Sequence, residues 1–499
     1  LLFIKARKCG FFGWLTGIMA FMDGCSWPLS IFVFVPVHAW MGNNYLRIFV
    51  FIAFRFSGWP QNKDPMKYTS IDSTLFTFNR GRFTASMKPG SIAFFNANDE
   101  MPRNGDCNFL FRQNSDLFYL TGIDQEQTIL VLFPDAPLPK YREILFLKKT
   151  NEHIAVWEGH KYTKEEARQA SGVQSVYWLE DYNAIVPMLL NHCENIYVNI
   201  NENDRFVSDV PYRELRFVND LKMRCPGHKF ERSGPILAGL RAIKHDIEIK
   251  LMQRAMDITE KAFRRVLRFV KPGVMEYEIE AEITHEFIRK RANGHAYTPI
   301  IASGPSACIL HYNDNNRECK AGDVILLDFG AEYANYAADL TRCVPVSGEF
   351  TERQRDVYNA VLRVMKAATA MLFPGNTIES YHVEVGKVMT EELLGLGLIS
   401  KEEVKNQNPE MPAYKKYFMH GTSHFLGLDV HDVGDRYQPM QAGMVFTCEP
   451  GIYIPEEGLG IRLENDILVT SKDPVDLMAA IPLEVEEIEE LMREAHHHA

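Results

Sequence analysis

Residues Gly322 to Val344 read GDVILLDFGAEYANYAADLTRCV, two apolar runs that each carry one acidic residue near the centre, Asp328 and Asp339. A carboxylate inside VILLDFG is costly to bury and has to be paired, hydrogen-bonded or bound to a cation. No Lys or Arg lies between the two. If Glu332 to Asn335 form a turn, the flanking runs pair as antiparallel strands, and side chains on one face of such a pair lie roughly 5 Å apart. Two carboxylates so placed suit a metal ion. A turn-capping Asp plus a surface ion pair accounts for the stretch alone equally well. The tripeptide Asp328-Phe329-Gly330 also occurs in protein kinases, but the Gly-rich phosphate loop and the other kinase motifs are missing from this sequence, which excludes that reading.

Outward from this stretch, one order of elements occurs twice. Ahead of it, Ile243, Ile247, Leu251, Ile258, Ala262 and Val266 recur at helical spacing until Lys271-Pro272-Gly273, and a second helix over Met275 to Arg291 places Ile279, Ile283 and Phe287 on its apolar face. Behind it, Thr351 and Gln354 form a capping-box start to a helix through Val357, Val361, Val364, Ala368 and Met371, which ends before Pro374-Gly375 and is followed by another helix through Leu394. The prolines are 102 residues apart (374 minus 272). This pattern predicts an internally duplicated domain with a cleft at the seam, where groups from both halves meet.

The second copy supplies MHGTSHFLGLDVHDVG, with His420, His424 and His431, then TCEPGIYI with Glu449 and GIRLENDILVT with Glu464. Two histidines four apart commonly form a helix-surface pair. Glu449 ends an apolar run and precedes Pro-Gly, so it is expected to be buried and fixed in direction. Period-two alternation puts Arg462 and Asp466 on the face of Glu464, which allows a simple reading in which Arg462 neutralises Glu464. Five donors on successive strands of a duplicated domain are not readily explained as isolated ion pairs.

The whole chain sets wider bounds. Its 499 residues are 46% hydrophobic, enough for two or three domains. A net charge of -11 argues against a nucleic-acid partner. Nine cysteines without a CxxC pair fit a reducing compartment, and Cys343 and Cys448 read as small strand residues. Residues 1–65 differ in composition, holding four of the six Trp and ten Phe with only Asp23 and Asp64 acidic. Lys5, Arg7 and Lys8 before an apolar run imitate a secretory signal, which Asp23 spoils, and Trp27 to Met41 is too short and too Pro-broken for a membrane span. We read 1–65 as a hydrophobic extension or upstream sequence outside the folded domains, with the natural start at Met66, and a membrane anchor or export signal as the alternative. From Met66 to 231, apolar runs at Ser91, Thr128, Glu143, Val176 and Asn195 alternate with helical stretches and predict a small α/β domain, its histidines structural. Arg232 to Gly239 reads as a linker, 240–483 as the duplicated domain, and 484–499 as an acidic tail, a solvated helix ending in a histidine trio that is not a metal site.

In combination, DFGAEYANYAADLTR, HGTSHFLGLDVHDVG, EPGIYIP and GIRLEND closely resemble the Xaa-Pro aminopeptidases, from Met66 to about Glu490, and FLFRQNSDLFYLTG from Phe109 looks like that family's N-terminal signature. The resemblance implies an α+β fold: a creatinase-like N-terminal α/β domain before a pita-bread catalytic domain with pseudo-twofold duplication. It implies a dinuclear metal site of Asp328, Asp339, His424, Glu449 and Glu464, most often manganese, with Asp328 terminal on one ion, His424 and Glu449 on the other, and Asp339 and Glu464 bridging. It further implies a bridging hydroxide as nucleophile, Glu449 as proton carrier, His311 and His431 at the reacting carbonyl, and His420, Tyr453 and Arg462 against the substrate. Expected partners are peptides with proline in second position and further copies of the chain, as homodimer or homotetramer. Phe118 is the residue matched to an aromatic that members place against a neighbouring subunit's site. The expected location is cytoplasmic, with no membrane or nucleic-acid partner. A prolidase acting on Xaa-Pro dipeptides and a pita-bread binding protein without catalysis are the alternatives.

Overall fold

The computed structural model describes residues 18–19, 30–41, 44–55, 68–203 and 205–497. The chain divides into two compact units, Leu1–Pro65 and Met66–Ala499. In the first, the strands Ser30–Met41 and Asn44–Arg55 pair antiparallel from Ser30↔Arg55 to Met41↔Asn44, and Ile18–Met19 pairs at the edge. Apart from Ile18–Met19, the signal-like run and the start at Met66 lie outside the described residues, as does the end of the histidine trio. No helix among the described residues is long and apolar enough to cross a membrane.

The second unit begins with a six-stranded sheet in the order Ser175–Trp178, Glu143–Leu147, Ile129–Leu132, Ser91–Asn96, Asn195–Val198, Lys229–Arg232. Alternation along these strands sends Ile92, Phe94, Val131, Ile144 and Phe146 to one face, against Val186, Leu189, Val218 and Leu221, and sends Ala93, Phe95, Leu130, Leu132 and Leu145 to the other, which joins the main core. Lys229–Arg232 is a strand that the apolar pattern does not announce, being half-exposed along its length. The expected linker is a correction: Gly234–Ala242 is a helix with its proline in the first turn, where a missing N–H costs nothing. Phe118 is a second correction, because it is fully buried within its own domain and cannot reach a neighbouring subunit.

The duplicated helices are Asp246–Phe269 with Glu276–Arg289, and Glu352–Ala370 with Ile378–Gly395. Thr351 and Gln354 form the reciprocal cap that their spacing announces. Each pair precedes antiparallel strands: Ile300–Ser303, Val324–Asp328 and Thr341–Pro345 in the first half, Val445–Cys448 and Asn465–Leu468 in the second. The halves join through the bridge between Thr341 and Glu464. The C-terminal helix Val485–His497 is not solvated all round, since Val485, Ile488 and Met492 are fully buried at helical spacing and Glu489 pairs with Arg355.

Candidate metal centre

The opening stretch folds into two nested pairings. Val324–Asp328 pairs with Thr341–Pro345, so that Asp328 faces Thr341, while Ala331–Tyr333 turns back onto Tyr336–Ala337. Ala334 and Asn335 both have positive φ (52° and 66°), as a tight hairpin turn of primed type requires. One register runs through both pairings, with the Phe329 N–H donating to the Leu340 carbonyl and the Ala338 N–H to the Ala331 carbonyl, so Gly330 stands opposite Asp339 where the strands approach closely, and a Cβ there would meet the Ala338 carbonyl oxygen at 1.6 Å. Asp328 and Asp339 are therefore diagonal cross-strand neighbours on one face, and the Tyr297 hydroxyl contacts both, at 2.6 Å from Asp328 Oδ1 and 2.5 Å from Asp339 Oδ1.

From the second half, residues 420–424 run beside Val445–Cys448. Thr447 and His424 exchange backbone and side-chain hydrogen bonds, and the Glu449 N–H donates to the Thr422 carbonyl at 2.8 Å, fixing that glutamate's direction. His420 and His424 thus lie on an extended segment rather than a helix. His424 Nδ1 lies 3.0 Å from the Phe425 carbonyl, which fixes a proton there, and presents Nε2 at 3.5 Å from Asp339 and 3.6 Å from Glu449. Glu464 accepts from the Thr341 hydroxyl at 2.6 Å, and Asp466 accepts from the Asp339 N–H at 3.1 Å. Ligand atoms of Asp339, His424 and Glu464 all lie within 4.8 Å of one another.

Arg462 does not neutralise Glu464 directly. Its guanidinium bonds Asp328 at 2.5 Å, the Thr341 hydroxyl at 3.2 Å and the Tyr453 hydroxyl at 3.0 Å. His420 Nε2 meets the same tyrosine at 2.7 Å. The His431 ring stands 4.4 Å from that of His424, centroid to centroid. His311 occupies an exposed turn close enough to act electrostatically on both His420 and His431. Asp328, Asp339, His424, Glu449, Glu464, His420, Tyr453 and Arg462 are therefore linked through one chain of contacts, with His431 packed against it and His311 nearby.

The electrostatics are those of a site short of positive charge. Burial pushes the Asp328 and Glu464 carboxyls up, Glu464 further because Asp339 and Glu449 crowd it. Burial raises Glu449 to about 7 against the pull of His424. Burial lowers His420 to about 3, with Arg462 adding to it, and lowers His431 to about 4, with His424 adding. Both imidazoles are neutral at physiological pH. Four carboxylates face one guanidinium, oxygen-rich with one imidazole, the donor set of divalent cations such as Mn(II) rather than of a structural zinc site.

Two residues near this cleft carry no signal in the sequence. Tyr297 lies in an unpatterned segment 31 residues before Asp328. His382, on the helix Ile378–Gly395, accepts the Thr422 N–H at 3.2 Å, and burial, with Arg436 adding, lowers it to about 4, keeping that nitrogen free to accept. A histidine following Tyr381 on a helix face could be found only once Thr422 was known to pass over it.

The sequence matches the model of metallopeptidase family M24 over residues 250–471 and that of the aminopeptidase P N-terminal domain over residues 76–197. It is 37% identical over 433 residues to the Xaa-Pro aminopeptidase of Haemophilus influenzae, covering 84% of this chain and 96% of that one. Among solved structures it resembles aminopeptidase PepP of Pseudomonas aeruginosa, with TM-score 0.78, 32% identity and coverage of 86% and 99% of the two chains. It also resembles zinc-substituted aminopeptidase P of Escherichia coli in complex with product, with TM-score 0.76, 33% identity and coverage of 86% and 99%.

Proposed function

We propose how the site works from the premise that the chain belongs to the Xaa-Pro aminopeptidases of metallopeptidase family M24. It is a metal-dependent exopeptidase that hydrolyses the bond between an N-terminal residue and a following proline, on a pita-bread domain behind an aminopeptidase P N-terminal domain. The roles of its residues rest above all on one observation, that carboxylates from both halves converge on the Nε2 of His424 with too little positive charge around them.

Asp328, Asp339, His424, Glu449 and Glu464 are the residues that would hold two divalent ions, Mn(II) by the chemistry of the donors. Such ions supply Lewis acidity for the carbonyl and acidify the attacking water. Tyr297 sets the mutual direction of Asp328 and Asp339. Glu449, held in direction by its N–H bond to the Thr422 carbonyl, is placed to take a proton from water and deliver it to the departing proline nitrogen. His431, neutral, donates an N–H toward the oxygen on which charge develops, and His311 serves the same oxygen. An Xaa-Pro bond has no amide hydrogen, so recognition has to come from shape and carbonyl contacts. The hydrogen-bonded line His420, Tyr453, Arg462 supplies a rigid polar wall for them.

For location we favour the cytoplasm, on the support of seven free cysteines among the described residues. For assembly we favour a homodimer or homotetramer, supported by the adjacent Val156 and Trp157, each 79% exposed on the helix Glu152–Glu158. Trp157→Ser is expected to lower the mass seen by light scattering, and an unchanged oligomer would remove that support. The activity is tested by offering Xaa-Pro-Yaa peptides, Xaa-Pro dipeptides and a Met-initiated peptide side by side with manganese. Release from the first alone is expected; preference for the dipeptides would make the protein a prolidase.

A further inference from the structure

Residues 426–434, which present His431, contain no helix or strand of their own. A loop that carries a working group has to be fixed by other elements if the group is to stay within a fraction of an ångström of its place. Here the fixing comes largely from outside the catalytic domain's sheets. Arg241, on the helix Gly234–Ala242 between the domains, is 3% exposed and reaches three carboxylates: Asp116 of the N-terminal domain at 2.7 Å, Asp429 of the loop at 2.8 Å, and Asp432. The other oxygen of Asp432 takes the Lys244 ammonium at 3.1 Å, where both side chains are 1% exposed. The N-terminal domain adds the Ser115 hydroxyl to Asp429 at 2.8 Å and the Asn203 amide to the carbonyl of His431 itself at 3.2 Å.

We infer that Arg241 is a positioning residue for the hydrolytic reaction: through Asp429 and Asp432 it ties the His431 loop to the N-terminal domain and so holds the imidazole in the site. The anchor is one residue from His431. A buried ionic cluster is weak evidence for stability, since apolar residues of similar volume stabilise about as well, whereas it fixes one conformation by demanding every partner at once. A planar guanidinium presents five N–H donors in a rigid fork and reaches three carboxylates on two separate segments, whereas the three donors of an ammonium radiate from one point and reproduce that geometry poorly. The N-terminal domain therefore acts on turnover within its own chain.

This inference rests on the proposed role of His431, and the test separates the two. Asp429 is 43% exposed at its side chain, so Asp429→Asn weakens the clamp without burying an unpaired charge; Arg241→Lys is its deeper counterpart. Each is measured for kcat and KM on an Xaa-Pro-Yaa peptide, with bound manganese counted, alone and combined with His431→Ala. We expect each to lower kcat about tenfold or more, with KM within about twofold and metal content unchanged, because misplacement by about 1 Å can cost about a hundredfold. In the His431→Ala background each is expected to add less than about twofold. Wild-type kcat in both single variants, or full additivity with His431→Ala, overturns the positioning role. Wild-type kcat in His431→Ala alone overturns the role of His431, and the inference with it.

Discussion

Asp328 closes the strand Val324–Asp328, in ladder contact with Ile300 on one side and Thr341 on the other, whereas His431 sits on a stretch without regular structure, tied down by side chains from the inter-domain helix and the N-terminal domain. The carboxylate side of the site is mounted on the sheets of both halves and bonded across them. The histidine side is mounted on loops and borrows its rigidity. Damage to the first is expected to show in metal content, and damage to the second in rate with the metal retained.

The largest expected effect breaks the sheet-mounted side. Asp339→Asn should reduce release of the residue before proline by about a thousandfold or more, together with bound manganese measured by elemental analysis, because it removes one of the carboxylates proposed to hold the ions. Full activity at unchanged stoichiometry would contradict that role. On the loop side, His431→Ala should cost about a hundredfold in kcat with metal content intact, the scale of losing one transition-state hydrogen-bond donor. A parallel loss of metal would erase the contrast between the two sides.

Tyr297→Phe sharpens the comparison, since its hydroxyl joins both aspartates from beyond the ligand set. It should weaken manganese binding by about 10- to 100-fold in competition with a chelator, and unchanged affinity would show that the strands alone direct the carboxylates. The smallest effect lies away from both sides. Glu214 in the N-terminal domain is raised to about 8 by burial, although Asn96 donates two hydrogen bonds to it, at 2.7 and 2.8 Å. A carboxyl raised on folding stabilises fully below its unfolded value, and that contribution is lost as pH rises through about 8. Glu214→Gln should therefore flatten the fall in thermal midpoint between about pH 5 and pH 8 while turnover at pH 7 stays within about twofold. An unchanged slope would mean that another group titrates.

The same contrast governs what was legible in the residues. Asp328 and Glu449 stood out because each interrupts or ends an apolar run, and the two helix pairs because Pro272-Gly273 and Pro374-Gly375 punctuate them. These are local signals of period and breaker. Tyr297, His382 and Arg241 were invisible because their partners lie 31, 40 and up to 191 residues away, and no periodicity encodes such a distance. The pairing of the two aspartates is legible because the runs flanking the turn do form antiparallel strands in one register, with Asp339 diagonally across from Asp328. The dense acidic run near the C-terminus masked a buried stripe of only three residues, Val485, Ile488 and Met492. Gly234-Pro235 reads as a linker because the same dipeptide chemistry breaks a helix interior and begins a helix.

In the proposed reading, carboxylates from both halves and one imidazole hold the metal through which an N-terminal residue is released before proline. Chelated protein titrated with manganese against an Xaa-Pro-Yaa peptide tests it most directly. Activity should be absent at the start and restored by about two equivalents per chain. Undiminished release by protein shown by elemental analysis to be free of metal would contradict it.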